Sequence, residues 1–321
     1  MMKGAAVSIA RLPAPISRAE RATLAWRRFW FAPADPRPLG LCRFLLFGYV
    51  LLRLSPEVAT TAWSTVTPAL WLPTHLFKAL RLVPVSPGVL GVLDLLWIGS
   101  LLLACLGLFS RASTGAALLL GVYLLGLPQC FGKVDHWSGL LVLVMLVLAL
   151  ARCGDALSID SWLASRRVRR SGGSVPQPLW SGEYRWPIQM VRLSMVLVFF
   201  AAGVAKLRFG RGAWFDSANM AAILIQPHYA IDRALPALGL SLASSPLATG
   251  VLGAASVLAE AAAPLALLGG LPALAIVGTL FSMQLGNALL LGVHASFPYL
   301  ACYAFWLPWD DLAARVRTRN A

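Results

Sequence analysis

The sequence predicts an all-α, polytopic integral membrane bundle of about eight transmembrane helices with no soluble domain. Three observations carry this prediction. Hydrophobic residues make up 59% of the chain and charged ones only 12%, with a mean hydropathy of +0.74, well outside the soluble globular range. Apolar runs that approach or exceed the ~18 residues needed to cross a bilayer recur along the chain. Basic residues collect in the tails and between those runs.

Residues 1–38 form a basic tail carrying Lys3, Arg11, Arg18, Arg21, Arg27 and Arg28, with no apolar stretch of signal-peptide length. Within it, Ala19 to Phe31 mixes arginine with Leu24, Trp26, Phe29, Trp30 and Phe31, a pattern that fits a helix lying on an anionic membrane face. The transmembrane domain covers 39–309, with spans expected near 39–54, 88–108, 112–130, 137–152, 187–207, 247–268, 271–292 and 296–309. A linker over about 153–186 separates two groups of four. It holds Arg166, Arg167, Arg169 and Arg170, then a Ser-, Gly- and Pro-rich connector from Ser171 to Gly182. A second basic tail, 310–321, carries Arg315, Arg317 and Arg319.

An even number of spans places all three basic clusters on one side, the cytoplasmic side by the positive-inside rule. Both termini are then cytoplasmic, in a multi-pass protein of a bacterial inner membrane. The net charge of +14 is thus a matter of topology, and with no soluble basic domain no nucleic-acid partner is expected. The five cysteines, Cys42, Cys105, Cys130, Cys153 and Cys302, are scattered singly, which points to neither a metal site nor a disulfide framework.

Among the ionisable residues Lys206 stands out. It closes the apolar run ending Phe199-Phe200-Ala201-Ala202-Gly203-Val204-Ala205-Lys206-Leu207, in a chain that otherwise uses arginine for positive charge. An ionisable group at membrane depth marks a functional site, and an amine can give up its proton where a guanidinium cannot. A lysine snorkelling from a helix end is the competing reading. The span order brings Lys206 to the same outer boundary as Asp135 and His136 at the start of the fourth span. Glu260 is expected midway along the sixth span, Asn287 in the outer half of the seventh, His294 at its end and Asp94 near the start of the second. Glu260 needs a partner or a proton; Asn287 could equally tie helices together. Arg43 and Arg192 read as cytoplasmic anchors.

Several segments, in order, carry a resemblance. Pro38-Leu39-Gly40-Leu41-Cys42-Arg43-Phe44 comes first, then Leu106-Gly107-Leu108-Phe109-Ser110-Arg111-Ala112-Ser113. Asp135-His136-Trp137-Ser138-Gly139 leads into Ala156-Leu157-Ser158-Ile159-Asp160, and the Phe199 to Leu207 segment is followed by Trp214. Together they resemble the horizontally transferred transmembrane (HTTM) domain family, whose best-known member is the vitamin K-dependent γ-glutamyl carboxylase.

The resemblance implies that Lys206 is the base that deprotonates reduced vitamin K or a menaquinol, with His136 beside it. Glu260, Asn287 and Trp214 would line the quinol site, and no metal is implied. The activity implied is a carbon–carbon lyase reaction, γ-carboxylation coupled to quinol epoxidation. In it the quinol anion, after reaction with oxygen, takes a proton from a glutamate that then adds carbon dioxide. Ala205 stands where the animal enzyme has a second lysine, and Ser282 falls where it carries a histidine. The chain also reads as lacking the large domain that binds propeptides, so the substrate would be a small or peptidic molecule, such as a secreted peptide, met at the outer face. Membrane lipid and quinol are the other partners. The alternative is a non-catalytic membrane protein for peptide maturation, export or immunity, in which Lys206 only pairs with a carboxylate such as Glu260. A small DoxX-type redox-associated protein shares a Gly-x-x-Lys-Leu-like segment, but the helix count and the His136 motif argue against it.

Overall fold

The computed structural model describes residues 17–54, 66–132, 136–174, 180–226, 235–291 and 297–309. Every regular element among them is helical, and one isolated antiparallel bridge joins Ala34 to Ser181. In chain order the α-helices are α1 (Arg18–Phe31), α2 (Pro36–Tyr49), α3 (His75–Ala79), α4 (Pro87–Leu106), α5 (Ser110–Gly126), α6 (His136–Leu150) and α7 (Ile159–Arg170). They continue with α8 (Arg185–Phe209), α9 (Ser217–Ile225), α10 (Pro236–Ala243), α11 (Pro246–Ala261), α12 (Gly270–Leu290) and α13 (Phe297–Cys302).

Among the described residues, four stretches are long and apolar enough to cross a membrane: Pro87–Leu106, Ser110–Cys130, Gly182–Phe209 and Gly270–Leu290. A fifth exists if α10 and α11, bent by 97° at the Ser244-Ser245 break, act as one broken span. The remaining runs expected as spans are shorter or interrupted. α2 passes into a π-helical turn over Val50–Leu54, and the apolar helix Ser138–Leu150 is shorter than a span. The run expected over 247–268 leaves α-geometry after Ala261 and continues as a 3₁₀ helix over Ala263–Leu268. Pro264 accounts for this, because it has no N–H for the carbonyl of Glu260 four residues back and its ring crowds that carbonyl. α13 is only six residues long, followed by a 3₁₀ turn over Tyr303–Trp306.

The outer faces of these helices identify the solvent they are built for. Leu95, Leu119, Leu150, Leu271 and Leu274 are each more than two-thirds exposed. Apolar surface on this scale is not stable in water and marks a membrane protein. The inward core runs from Leu39, Phe47 and Trp97 through Leu124 and Val144 to Met195, Phe199 and Phe305.

α2, α4, α5 and α6 pack in sequence, α8 packs against α6 and α11, and α11 in turn holds α9 and α12. One end of the bundle gathers α1, α7 and the starts of α2, α5 and α8. There Arg185 Nε (3.1 Å) and Gln189 Nε2 (3.2 Å) both donate to the Phe29 carbonyl. Asp160 at the start of α7 binds the first turn of α5. α6 therefore begins, and α8 ends, at the opposite end. We call the first the basic end and the second the Lys206 end.

Candidate functional site

α8 runs 25 residues and places Lys206 in its last turn, one turn beyond Gly203. At Gly203, α11 crosses so closely that a β-carbon would stand 2.5 Å from the Ala261 nitrogen and 2.8 Å from the Glu260 carbonyl carbon. The missing side chain is what admits the backbone of α11. Its approach delivers Glu260 to the Lys206 side of α8. Lys206 Nζ donates a hydrogen bond to Glu260 Oε1 at 2.8 Å and stands equally close, 2.8 Å, to Oε2. The Oε2 contact is an ion pair without hydrogen-bond geometry, so that buried oxygen keeps an unused acceptor direction. The carboxylate side chain is 5% exposed and the ammonium side chain 20%. The pair is therefore sunk in the protein but open on its lysine side.

Trp214 closes the third face. α8 stops at Gly210, a turn follows, and a 3₁₀ helix over Ala213–Phe215 brings the indole under the ammonium, with Nζ 4.4 Å from the ring centroid. That distance is within cation–π range. The turn fits because Gly253 on α11 has no side chain, since a β-carbon there would collide with the Trp214 carbonyl oxygen. Asp216 then caps α9 by accepting from the Ala218 N–H at 2.9 Å.

The structure places Glu260 differently along its helix than the sequence suggests. It is the penultimate residue of α11, one turn short of Pro264, and not the midpoint of a continuous span. His136 opens α6 at the Lys206 end, as its position in the chain order requires, but its side chain lies outside the described residues, as do Asp135 and His294. Asn287 is half-buried on α12, and the described contacts of the Lys206–Glu260 pair do not include it. The site brought together is thus Lys206, Glu260 and Trp214, moulded by Gly203 and Gly253. The steric role of the two glycines was not read from the sequence.

A second constellation sits at the basic end and overturns the reading of Arg43 as an anchor. Arg43 is fully buried, with Nη2 donating to the Leu157 carbonyl at 2.6 Å, while Nε and Nη1 have no hydrogen-bond acceptor among the described residues. Its guanidinium lies against Gly107, whose left-handed φ of 68° and bare Cα make room for it. Beside it, Asp160 Oδ1 accepts from the Phe109 N–H (2.9 Å). Its Oδ2 accepts from the Ser110 N–H and hydroxyl, both at 2.7 Å. Burial pushes the Asp160 carboxyl up, but these bonds and the Arg43 charge outweigh it and hold it below its ordinary range. Phe109 and Leu157, both non-glycine residues at φ 49°, are strained at this junction.

The Arg43 knot joins three of the five segments that carried the resemblance, and the Lys206 site contains another. A model of the HTTM domain matches residues 31–309, nearly the whole described bundle. The chain belongs to the HTTM domain family. Comparison with curated proteins and with solved structures gives no match. In this HTTM domain the ordered segments thus have two physical jobs. The Arg43, Gly107 and Asp160 segments lock one end of the bundle, and the Gly203 to Lys206 segment builds an ion pair at the other.

Proposed function

We propose that this HTTM protein is a quinol-using membrane enzyme of the γ-carboxylase-like type, with the Lys206–Glu260 pair as its proton acceptor. HTTM domains occur in vitamin K-dependent carboxylase-like proteins, which supports the class of chemistry. The observation that carries the reading is the ion pair itself: a buried carboxylate with one oxygen that accepts no hydrogen bond among the described residues, an ammonium open to one side, and an indole against it.

This donor and acceptor set fits a reduced vitamin K or menaquinol head group. When bound, such a group supplies an ionisable hydroxyl and the reducing equivalents for reaction with oxygen. Glu260 Oε2 accepts a hydroxyl proton. Lys206 Nζ would stay an ammonium and offset the charge that the proton leaves behind, so the pair would begin as ammonium–carboxylate and end as ammonium–carboxylic acid. Trp214 packs against the ammonium and restricts water on that side, which strengthens both interactions. His136, entering at the same end, is the second residue assigned to the site, and Asn287 would line its wall. The basic end is cytoplasmic and the Lys206 end faces outward across a bacterial inner membrane, where a small or peptidic substrate would arrive.

A second reading keeps the same geometry without chemistry. Since Glu260 already neutralises Lys206, the pair could simply close a membrane module for peptide maturation, export or immunity. The experiment that separates them is oxidation of bound menaquinol or vitamin K hydroquinone by the purified protein in lipid nanodiscs under oxygen. Loss of oxidation in both Glu260→Gln and Lys206→Arg, with the protein still inserted, supports the enzyme. Wild-type protein that oxidises neither quinol removes it.

A further inference from the structure

The expected linker contains a helix that the bundle does not use. α7 is capped at its start by Ser158, whose hydroxyl accepts from the Ser161 N–H, and is tied down by Asp160 on the first turn of α5. Beyond that first turn it stands clear. Trp162 and Leu163 are 56% and 41% exposed, and Arg166, Arg167, Arg169 and Arg170 are exposed as well. None of the four arginines has a carboxylate within ion-pair distance among the described residues. A twelve-residue helix with four clustered like charges does not hold itself in water, so something must cover it.

The order of residues on α7 identifies the cover. Ile159, Trp162, Leu163, Arg166 and Arg170 follow i, i+3, i+4, i+7, i+11 spacing and share one face, while Asp160 turns toward α5. On that face the apolar residues come first and the arginines last, and the Arg166 guanidinium lies 5.2 Å from the centre of the Trp162 ring. A surface receiving this face must take an apolar wedge and negative charge side by side. A lipid interface does so, with acyl chains below and phosphates above.

The placement agrees. Asp160 fixes α7 at the mouth of α5, where a span meets the membrane surface. α1, joined to the same end through Arg185 and Phe29, presents Arg18, Arg21, Arg27 and Arg28 with exposed Trp26 and Phe31. We propose that α7 docks on anionic phospholipid head groups of the leaflet at the basic end, as a second surface helix beside α1. This does not depend on the reaction at Lys206.

The five native cysteines are buried, so a single Leu163→Cys can carry an environment-sensitive fluorophore in the full chain. The labelled protein is reconstituted in phosphatidylcholine vesicles with or without about one quarter phosphatidylglycerol, and quenching by neutral acrylamide is read. Docking protects the label when phosphatidylglycerol is present. Each arginine neutralised should weaken docking about fivefold, so Arg166→Gln/Arg169→Gln/Arg170→Gln abolishes protection, while the matching triple lysine variant retains it. Equal quenching in both vesicle types overturns the proposal, as does protection that survives the triple glutamine change. Protection that appears only when single-stranded RNA or an acidic protein is added to phosphatidylcholine vesicles also overturns it, and reassigns the surface.

Discussion

Gly203 on α8 faces the backbone of Glu260 on α11, 57 residues later in the sequence, at a separation that excludes any β-carbon. The Lys206–Glu260 ion pair depends on that fit. Gly203→Ala must push α11 outward, and overpacking of this kind costs about 1–3 kcal/mol. The expected result is a protein that still inserts but melts earlier in detergent and has lost its function along with the pair. Wild-type stability and activity in Gly203→Ala would show that the crossing is looser than described. Gly253→Ala should act in the same direction by displacing the Trp214 turn.

The pair itself can be tested by double substitution. Removing one partner leaves a buried charge without its counter-ion, a loss of about 3–5 kcal/mol, whereas removing both can be nearly neutral. Lys206→Met and Glu260→Leu should each destabilise the protein strongly, and the double variant should recover most of the loss while remaining inactive. Thermal unfolding of the four proteins in one detergent gives the coupling directly. Additive effects would mean that the two charges do not stabilise each other.

Chemistry and charge are separated by the conservative changes. Glu260→Gln keeps the size and removes the proton acceptor, and a positioned acid–base group of this kind contributes about 10²–10⁴ in rate. Bound-quinol oxidation should therefore fall by at least 10²-fold in Glu260→Gln. Lys206→Arg retains the positive charge but changes its shape and hydrogen-bonding geometry, and should also fail. Full quinol oxidation with arginine at 206 would show that a positive charge beside Glu260 suffices, and that the amine of lysine is not required.

Asp160 gives the basic end an acid limit. Its folded carboxyl titrates below its ordinary value of 3.8, so the stabilisation it provides is complete above that value and is lost as the pH falls through the lower, folded value. Asp160→Ala should cost about 1 kcal/mol at neutral pH through loss of the helix cap. It should also flatten the acid side of a melting-temperature profile taken from pH 7 down to about 3. An unchanged acid limb would place the pH sensitivity elsewhere.

Topology is checked by labelling. A cysteine placed at Ser217, just beyond the Trp214 turn, should react with an impermeant thiol reagent added from the periplasmic side. One at Ser174, just after α7, should not. The buried native cysteines give a low background. The opposite pattern would invert the assignment of the basic end.

Much of this molecule was legible in the sequence because membrane constraints are severe. Lys206 stood out as an amine closing an apolar run, Glu260 as a carboxylate that needed a partner, and Trp214 through its motif. What the sequence hid was fit. Gly203 and Gly253 act through the distance between two helices, which no periodicity reveals. The interruption at Pro264 was visible as a residue but was masked by the uniformly apolar run around it. α7 falls inside the 153–186 stretch that reads as a linker, because its arginines outweigh its apolar residues. In addition, the cap partner at position 161 is a serine in place of the usual glutamate or glutamine.

Arg43 sets a sequence of events. Its one hydrogen-bond acceptor among the described residues, the Leu157 carbonyl, lies 114 residues further along the chain. While the ribosome is still delivering α4, α5 and α6, the guanidinium of α2 lacks this acceptor, and leaving it bare in the bilayer interior is costly. α2 must wait near the surface and settle only after the 154–160 turn has emerged. A helix made early is thus among the last to seat, and a chain halted before Leu157 is expected to keep α2 unlocked and open to quality-control proteases.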